Sequence, residues 1–287
     1  HAIMQSEMTD RAALDTILTS YRPDVVIHAA APSSASDLIG NGTLVDAISD
    51  HWQANGRADG FRMLCVRCDQ PVLGAVGEGA GHSSLSQDAS RSAVDHLIRT
   101  ISEESGLPVL LLRGAAHFGP YQSMDCTIPW VIRQALVGAP IRLGRAARLQ
   151  TEWIQIDDLA KEVLAAMLTA RAGEPIRFRS GHSVRSVSLV RMICDALDLL
   201  SPERAPHGRL ISMSTHEDAP LSERQVQEIA SAAGGVPDVL VRLRRDIETA
   251  VKWYLDHPRW LGALATRPAP SAQGRNRSRG NVACGLC

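Results

Sequence analysis

The sequence carries almost no net charge and has no long apolar segment. Its 30 Lys and Arg residues nearly balance 31 Asp and Glu residues, which leaves a formal charge of -1 over 287 residues. No basic run occurs outside the C-terminal tail, so neither a nucleic acid nor a membrane surface is an expected partner. The apolar runs are too short for a bilayer-spanning helix, and no leader precedes a small-residue cleavage site. These absences predict a soluble, cytoplasmic protein.

Cysteine is also sparse, with 6 residues in the whole chain. Cys65 with Cys68, and Cys284 with Cys287, have the Cys-x-x-Cys spacing that two halves of a zinc site would need. However, Cys65 and Cys68 fall on a predicted buried strand, where alternation directs them to opposite faces. The second pair falls in the tail. We therefore expect reduced thiols and no metal.

The order of apolar segments indicates an α/β fold. Residues 24–31, 61–69 and 109–113 are rich in apolar residues, which is typical of buried parallel strands. Between the last two lies an amphipathic segment, with no glycine or proline from Gln87 to Ser105, which predicts a long helix. Residues 1–21 are interpreted as the end of a strand, a turn, and a helix capped by Thr9 or Asp10.

Three motifs make this pattern similar to a known family: Cys65-Val66-Arg67-Cys68-Asp69, Asp95-His96-Leu97, and Phe118-Gly119-Pro120-Tyr121-Gln122. The chain resembles the extended short-chain dehydrogenase/reductase family (NAD-dependent epimerase/dehydratase), and within it the nucleotide-sugar 4,6-dehydratases. The resemblance implies a Rossmann-like doubly wound parallel sheet in residues 1–150, without its first βαβ unit. It also implies a smaller C-terminal α/β substrate domain in 151–262, with residues 154–165 and part of 175–185 contributing across domains. Residues 263–287 are expected to form a disordered tail.

The family's catalytic Tyr and Lys positions are occupied here by Gln87 and Arg91. A Tyr beside a Lys can exchange a proton while hydride moves, because its phenol pKa is lowered from about 10. Gln87 has no such proton, and Arg91 stays charged. The resemblance therefore implies a degenerate active site that has lost the usual redox step.

Other candidate catalytic residues follow strands. By the resemblance, Asp69 is the retained dehydratase acid beside Cys68, while the family's Glu has become Gln70. His117 follows Ala116 in place of the family's paired asparagines, at an edge where open α/β folds bind ligands. A histidine there can act as acid or base near neutral pH. The structural alternatives are that Asp69 only begins a loop and that His117 is only packed.

The substrate and cofactor positions are also altered. Gln150 or Thr151 replaces the arginine that grips a diphosphate in the family, and Arg145 and Arg148 are candidates to compensate. The family cofactor is NAD, but no glycine-rich loop precedes the strand expected at His1. We expect either that the chain is truncated at its N-terminus or that further residues precede His1, so the cofactor is unknown.

By the resemblance, the remaining cofactor positions are Glu7, Ala29 and Ala30. The positions that line a small-molecule or nucleotide-sugar-like ligand are Ala116, Arg145, Arg148 and Gln150.

Three functions stay open. The first is small-molecule binding or cofactor-independent proton transfer in a biosynthetic pathway, of the lyase or isomerase type if it is an enzyme. The second is a non-catalytic partner in a homodimer or heterodimer through the helices near Thr43 and Arg91. The third is an ordinary nucleotide-sugar dehydratase or epimerase whose NAD-binding segment lies outside this sequence.

Overall fold

The computed structural model describes residues 2–30, 36–68, 80–124, 126–143, 150–173, 176–178, 183–213 and 238–263. The helices of these residues are α1 Arg11–Tyr21, α2 Ser36–Ala54, α3 Ala80–Ser105, α4 Thr127–Val137, α5 Ile156–Thr169, α6 Ser186–Leu200, α7 Asp238–Asp256 and α8 Pro258–Ala263. The strands are β1 Val25–His28, β2 Arg62–Cys68, β3 Val109–Gly114, β4 Ala116–Phe118, β5 Ile141–Leu143, β6 Gln150–Gln155, β7 Ile176–Phe178, β8 Ser183–Arg185 and β9 Ile211–Met213.

The chain packs as two compact units. Unit 1 takes the described residues of 1–67, 79–114 and 160–178, and unit 2 takes those of 68–78, 115–159 and 179–287. This division differs from the boundary expected near residue 150, because residues 115–159 pack within unit 2. Helix α5 is shared between the two units.

Unit 1 is a four-stranded sheet in the order β1-β2-β3-β7. Strand β1 pairs in parallel with β2, and β3 pairs in parallel with β7. Strand β2 is buried along most of its length, as expected for a parallel strand covered by helices on both faces. Helices α2 and α3 supply most of the core against it, through residues such as Ile48, Trp52, Val94 and Ile98.

Unit 2 holds two smaller sheets. Strand β4 pairs in parallel with β6, and β6 pairs antiparallel with β8. Strands β5 and β9 form a separate parallel pair. The apolar faces of α4, α6 and α7 enclose a core that includes Phe118, Trp153 and Tyr254.

The structure confirms the predicted α/β class and the long helix α3. Of the two expected caps of α1, Thr9 and Asp10, the cap is Asp10, whose carboxylate accepts a hydrogen bond from the Ala13 N–H at 3.0 Å. The strand expected before α1 is wrong for residues 2–6, which have no regular secondary structure. Among the residues described, no helix has both the length and the apolar character needed to cross a bilayer.

Candidate active site

The predicted catalytic residues fall into both units. His117 is the buried central residue of β4 in unit 2, directly after the buried Ala116. Cys68 is the half-buried last residue of β2 and is grouped with unit 2. Gln87 and Arg91 lie four positions apart on α3, in unit 1, so they share one helix face. Their side chains, like the whole of Asp69, lie outside the described part of the chain.

The residues predicted to bind the cofactor and the ligand also fall into both units. Gln150 is exposed at the first position of β6, and Glu7 is exposed before α1. Ala29 and Ala30 follow β1 directly, where Ala29 is half-buried and Ala30 exposed. Arg145 and Arg148 lie outside the described residues. The roles assigned to all of these residues stay predictions.

A buried arginine organises the carboxyl end of the sheet in unit 1. Arg67, near the end of β2, donates from Nη1 to the Ala30 carbonyl at 2.8 Å and toward His28 Nδ1 at 3.2 Å. Its Nη2 lies 3.4 Å from Asn41 Oδ1 on α2. One guanidinium therefore ties the end of β1, β2 and α2 together.

Asp95 on α3 supplies the opposite charge. The residue is only 4% exposed, and its carboxylate lies 3.4 Å from Arg67 Nε. Arg113 on β3, whose side chain is 45% exposed, also donates to the same carboxylate. Because a buried charge is costly without a partner, Asp95 stabilises the burial of Arg67.

His28 completes this network in its neutral form. An arginine can only donate, so the proton of the neutral imidazole lies on Nε2 and Nδ1 accepts from Arg67. Burial, helped by the positive charge of Arg67, lowers the pKa of His28 from 6.5 to about 4. A second proton on Nδ1 would face the Arg67 donor directly.

Sequence reasoning missed this network. In the sequence, Arg67 and Asp95 stand out only as members of two motifs that resemble those of the family. A signal did exist, because an arginine inside a continuous apolar strand rarely stays buried without an acidic partner. The partner itself could not be chosen, since Asp95 is 28 residues away in the sequence.

The two cysteines of β2 are thiols and do not form a disulfide with each other. Cys65 is fully buried, and Cys68 is half-buried. Burial raises the pKa of the Cys65 thiol to about 12, so it stays protonated and unreactive at neutral pH. In the described part of the chain, no cluster of three or more His, Cys, Asp or Glu residues could hold a metal ion.

In unit 2, the loop after β4 is fixed by a tyrosine from α7. The Tyr254 hydroxyl donates to the Gly119 carbonyl at 2.9 Å and accepts from the Gln122 N–H at 3.2 Å. Gln122 Nε2 in turn donates to the His117 carbonyl at 3.1 Å. A Cβ on Gly119 would lie 2.4 Å from Ile156 Cγ2, so only glycine fits there. These contacts give the Phe118–Gln122 motif a structural role.

His117 is buried at the centre of β4. Burial lowers the pKa of its imidazole below the ordinary value of 6.5. It is therefore neutral at physiological pH and can accept a proton. The Tyr254 contacts fix the loop that follows it.

Replacing Tyr254 with phenylalanine is expected to lower the free energy of unfolding by about 1–3 kcal/mol, because two buried backbone groups lose their partner. Urea denaturation measures this change. The matched control is Tyr21→Phe, at a hydroxyl-bearing ring that is exposed on α1. Equal small effects for both variants would contradict a structural role of the Tyr254 hydroxyl.

Comparisons with known proteins agree with the fold and the motifs. The model of the NAD dependent epimerase/dehydratase family matches residues 87–179. A dTDP-glucose 4,6-dehydratase from Xanthomonas campestris pv. campestris (strain B100) is 26% identical, over 91% of this chain and 81% of the relative. One from Neisseria meningitidis serogroup B is 26% identical, over 91% of this chain and 80% of the relative.

A solved structure gives the same result for the fold. The dTDP-glucose 4,6-dehydratase from Bacillus anthracis, in complex with NAD, matches with a TM-score of 0.65 at 18% identity. The match covers 91% of this chain and 82% of that chain, which confirms a Rossmann-like α/β fold. Together the comparisons confirm that the chain is similar to the extended short-chain dehydrogenase/reductase family, and within it to the dTDP-glucose 4,6-dehydratases.

Proposed function

We propose that this dehydratase-like chain binds a small molecule, or performs proton transfer without nicotinamide redox, in a cytoplasmic biosynthetic pathway. The observation that carries the proposal is the pair Gln87 and Arg91 at the family's Tyr and Lys positions. Both lie on one face of α3, so the place of the redox pair is kept while its chemistry is changed. Neither an amide nor a guanidinium exchanges a proton near neutral pH.

The residues assigned to the family cofactor do not fit a dinucleotide on their own. Ala29 and Ala30 offer only methyl side chains, and the Ala30 carbonyl already accepts from the Arg67 guanidinium at 2.8 Å. The remaining candidate, Glu7, is exposed in the segment before α1. No step of the proposed chemistry is therefore routed through NAD.

His117 is the group best placed to move a proton in this proposal. Its neutral imidazole accepts a proton from a substrate carbon or hydroxyl and returns it later in the reaction. Cys68 and Asp69 are proposed as further cleft residues. The proposed ligand is a nucleotide-sugar-like or smaller molecule, with Ala116, Gln150, Arg145 and Arg148 assigned to its binding.

Native mass spectrometry of the purified full chain, followed by incubation with dTDP-glucose and NAD⁺, tests this proposal. We expect a bound small molecule other than a dinucleotide, no reduction of NAD⁺, and no loss of water from dTDP-glucose. Retained NAD together with dehydration of dTDP-glucose would contradict the proposal and favour an ordinary nucleotide-sugar 4,6-dehydratase.

Once a substrate is found, replacing His117 tests its role. His117→Ala is expected to abolish turnover while the chain stays folded, because the proton acceptor is removed. The activity of the unaltered chain should fall on acidification, because the imidazole of His117 becomes protonated below its lowered pKa. The control is His51→Ala, on α2, which is expected to leave turnover unchanged. Full activity in both His117→Ala and Asp69→Asn would rule out the proton-transfer mechanism.

A second candidate function is a non-catalytic partner of an active relative. Helix α2 leaves Ile39 67% exposed beside Leu38, although its opposite face is buried. These apolar side chains and the neighbouring α3 would form a homodimer or heterodimer surface near Thr43 and Arg91. Light scattering of the chain, alone and mixed with an active relative, measures this association. A strict monomer in both cases would exclude it.

A further inference from the structure

Unit 2 has an aromatic groove that contains none of the predicted site residues, although Tyr121 in its wall belongs to the Phe118–Gln122 motif. Its volume is about 380 Å³, and its lining is mostly apolar. The residues around it are Tyr121, Trp253, Asp256, His257, Pro258, Arg259 and Trp260. Tyr121 comes from the loop after β4, while the others come from the end of α7 and the start of α8.

The rings of this groove are held in fixed mutual positions. Tyr121 meets Trp253 edge-on at 4.6 Å between ring centroids and meets Trp260 at 5.4 Å. His257 stacks on Trp253 at 4.2 Å between ring centroids. Trp260 Nε1 donates to the Gln122 carbonyl at 3.1 Å, which fixes its orientation. The groove is therefore preorganised for a flat apolar surface.

Tyr121 is the most exposed of the tyrosine and tryptophan residues of the groove. The residue is 64% exposed, although it makes both aromatic contacts. Its φ of 65° is a left-handed conformation that a bulky residue rarely adopts. Such a backbone persists only where surrounding contacts hold it, and it is a reason to look for a binding role.

We propose that the groove binds this chain's own C-terminal segment Thr266–Ser271, whose sequence is Thr-Arg-Pro-Ala-Pro-Ser. Pro268 and Pro270 would lie on the rings of Tyr121, Trp253 and Trp260. Aromatic-lined grooves are the usual receptors of proline-rich segments, because such segments lose little conformational entropy on binding. This inference is independent of the proposed function.

The connection between groove and segment is short. Helix α8 begins at Pro258 in the groove wall and ends at Ala263. At about 1.5 Å per residue, its end lies about 8 Å along the helix from that wall. Residues 264 and 265 can each span at most about 3.6 Å, which is enough for the chain to turn back.

The groove and the segment also carry one pair of opposite charges. Asp256 at the groove rim, now bonded to Lys252 at 2.9 Å, offers a carboxylate to Arg267. Attachment to α8 gives the segment an effective concentration of about 1 mM or more, so a weak intrinsic affinity is sufficient for occupancy.

Photo-cross-linking in the full chain tests the proposal. p-Benzoylphenylalanine is placed instead of Ala269, and the cross-linked peptides are mapped by mass spectrometry. A mixture of isotopically light and heavy protein separates cross-links within one chain from those between chains. We expect intramolecular cross-links to peptides that contain Tyr121 or residues 253–260.

Two further variants distinguish binding from mere proximity. Pro268→Ser with Pro270→Ser keeps the tether length but removes the apolar rings, and Tyr121→Asn keeps a residue that tolerates the left-handed backbone. Each is expected to lower the cross-link yield about fivefold. If the segment occupies the groove half of the time, a tenfold weaker binding equilibrium reduces that occupancy by about this factor. Unchanged yields in both, cross-links only between chains, or no cross-links to the groove would each overturn the proposal.

Discussion

Replacing Asp95 with alanine is expected to lower the free energy of unfolding by about 3–5 kcal/mol, the usual cost of breaking a buried ion pair. Arg67 would then remain buried with its charge uncompensated. Its contacts with Ala30, His28 and Asn41 are to neutral acceptors, which do not replace a carboxylate. Arg113 is partly exposed, so water can solvate its side chain after the change.

Chemical denaturation in urea measures this effect, with Glu103→Ala as the matched control. Glu103 is an exposed carboxylate on the same helix, and its loss should change stability by no more than about 0.5 kcal/mol. A double variant, Arg67→Met with Asp95→Leu, should recover most of the lost stability, because apolar groups can replace a buried pair. A destabilisation by Asp95→Ala no larger than that of the control would show that Arg67 does not depend on Asp95.

Acidification is expected to cause a second large decrease in the free energy of unfolding. The pKa of His28 is lowered to about 4 in the folded chain, against 6.5 for the free side chain. Between these values the unfolded chain binds a proton that the folded chain rejects, so the free energy of unfolding decreases as pH falls. The whole contribution is about 3 kcal/mol, present above pH 6.5 and lost by about pH 4.

Comparison with His28→Asn separates this effect from the titration of other groups. Asparagine Oδ1 can accept from Arg67 in place of Nδ1, but it takes up no proton in this range. The stability of the unaltered chain should therefore fall more steeply between pH 6.5 and 4 than that of the variant. Parallel pH curves for the two proteins would show that His28 is not held neutral by its surroundings.

The two expectations concern the same network at the carboxyl end of the sheet in unit 1. It joins β1, β2 and β3 to α2 and α3 through the guanidinium groups of Arg67 and Arg113 and the carboxylate of Asp95. Helix α3 also carries Gln87 and Arg91. Loss of the network is therefore expected to disturb the helix on which the proposed function depends.

Much of the fold could be predicted from local sequence. The run without glycine or proline from Gln87 predicted α3, the apolar runs predicted β1, β2 and β3, and Asp10 was one of the two residues expected to cap α1. These features depend on periodicity and capping, which neighbouring residues decide. The strand expected in residues 2–6 was wrong, since a strand also needs a partner that local sequence does not show.

Less of the site could be predicted. The changes at Gln87, Arg91 and Gln70 were visible by resemblance, and they carry the proposed function. The surroundings of His117 were left open between packing and chemistry, and the structure shows that its imidazole is buried with a lowered pKa. The contacts of Tyr254 with Gly119 and Gln122 join residues more than 130 positions apart, at separations of 135 and 132.

The sequence by itself determined the α/β class and the helices and strands with strong periodicity, and the resemblance assigned Gln87 and Arg91 to the family's Tyr and Lys positions. Only the tertiary structure decided that Arg67 is paired with Asp95, that His28 stays neutral, and that Tyr121 lies against Trp253 and Trp260. The physical reason is that helix and strand preference depends on near neighbours. Burial, charge pairing and pKa depend on groups that only folding brings together.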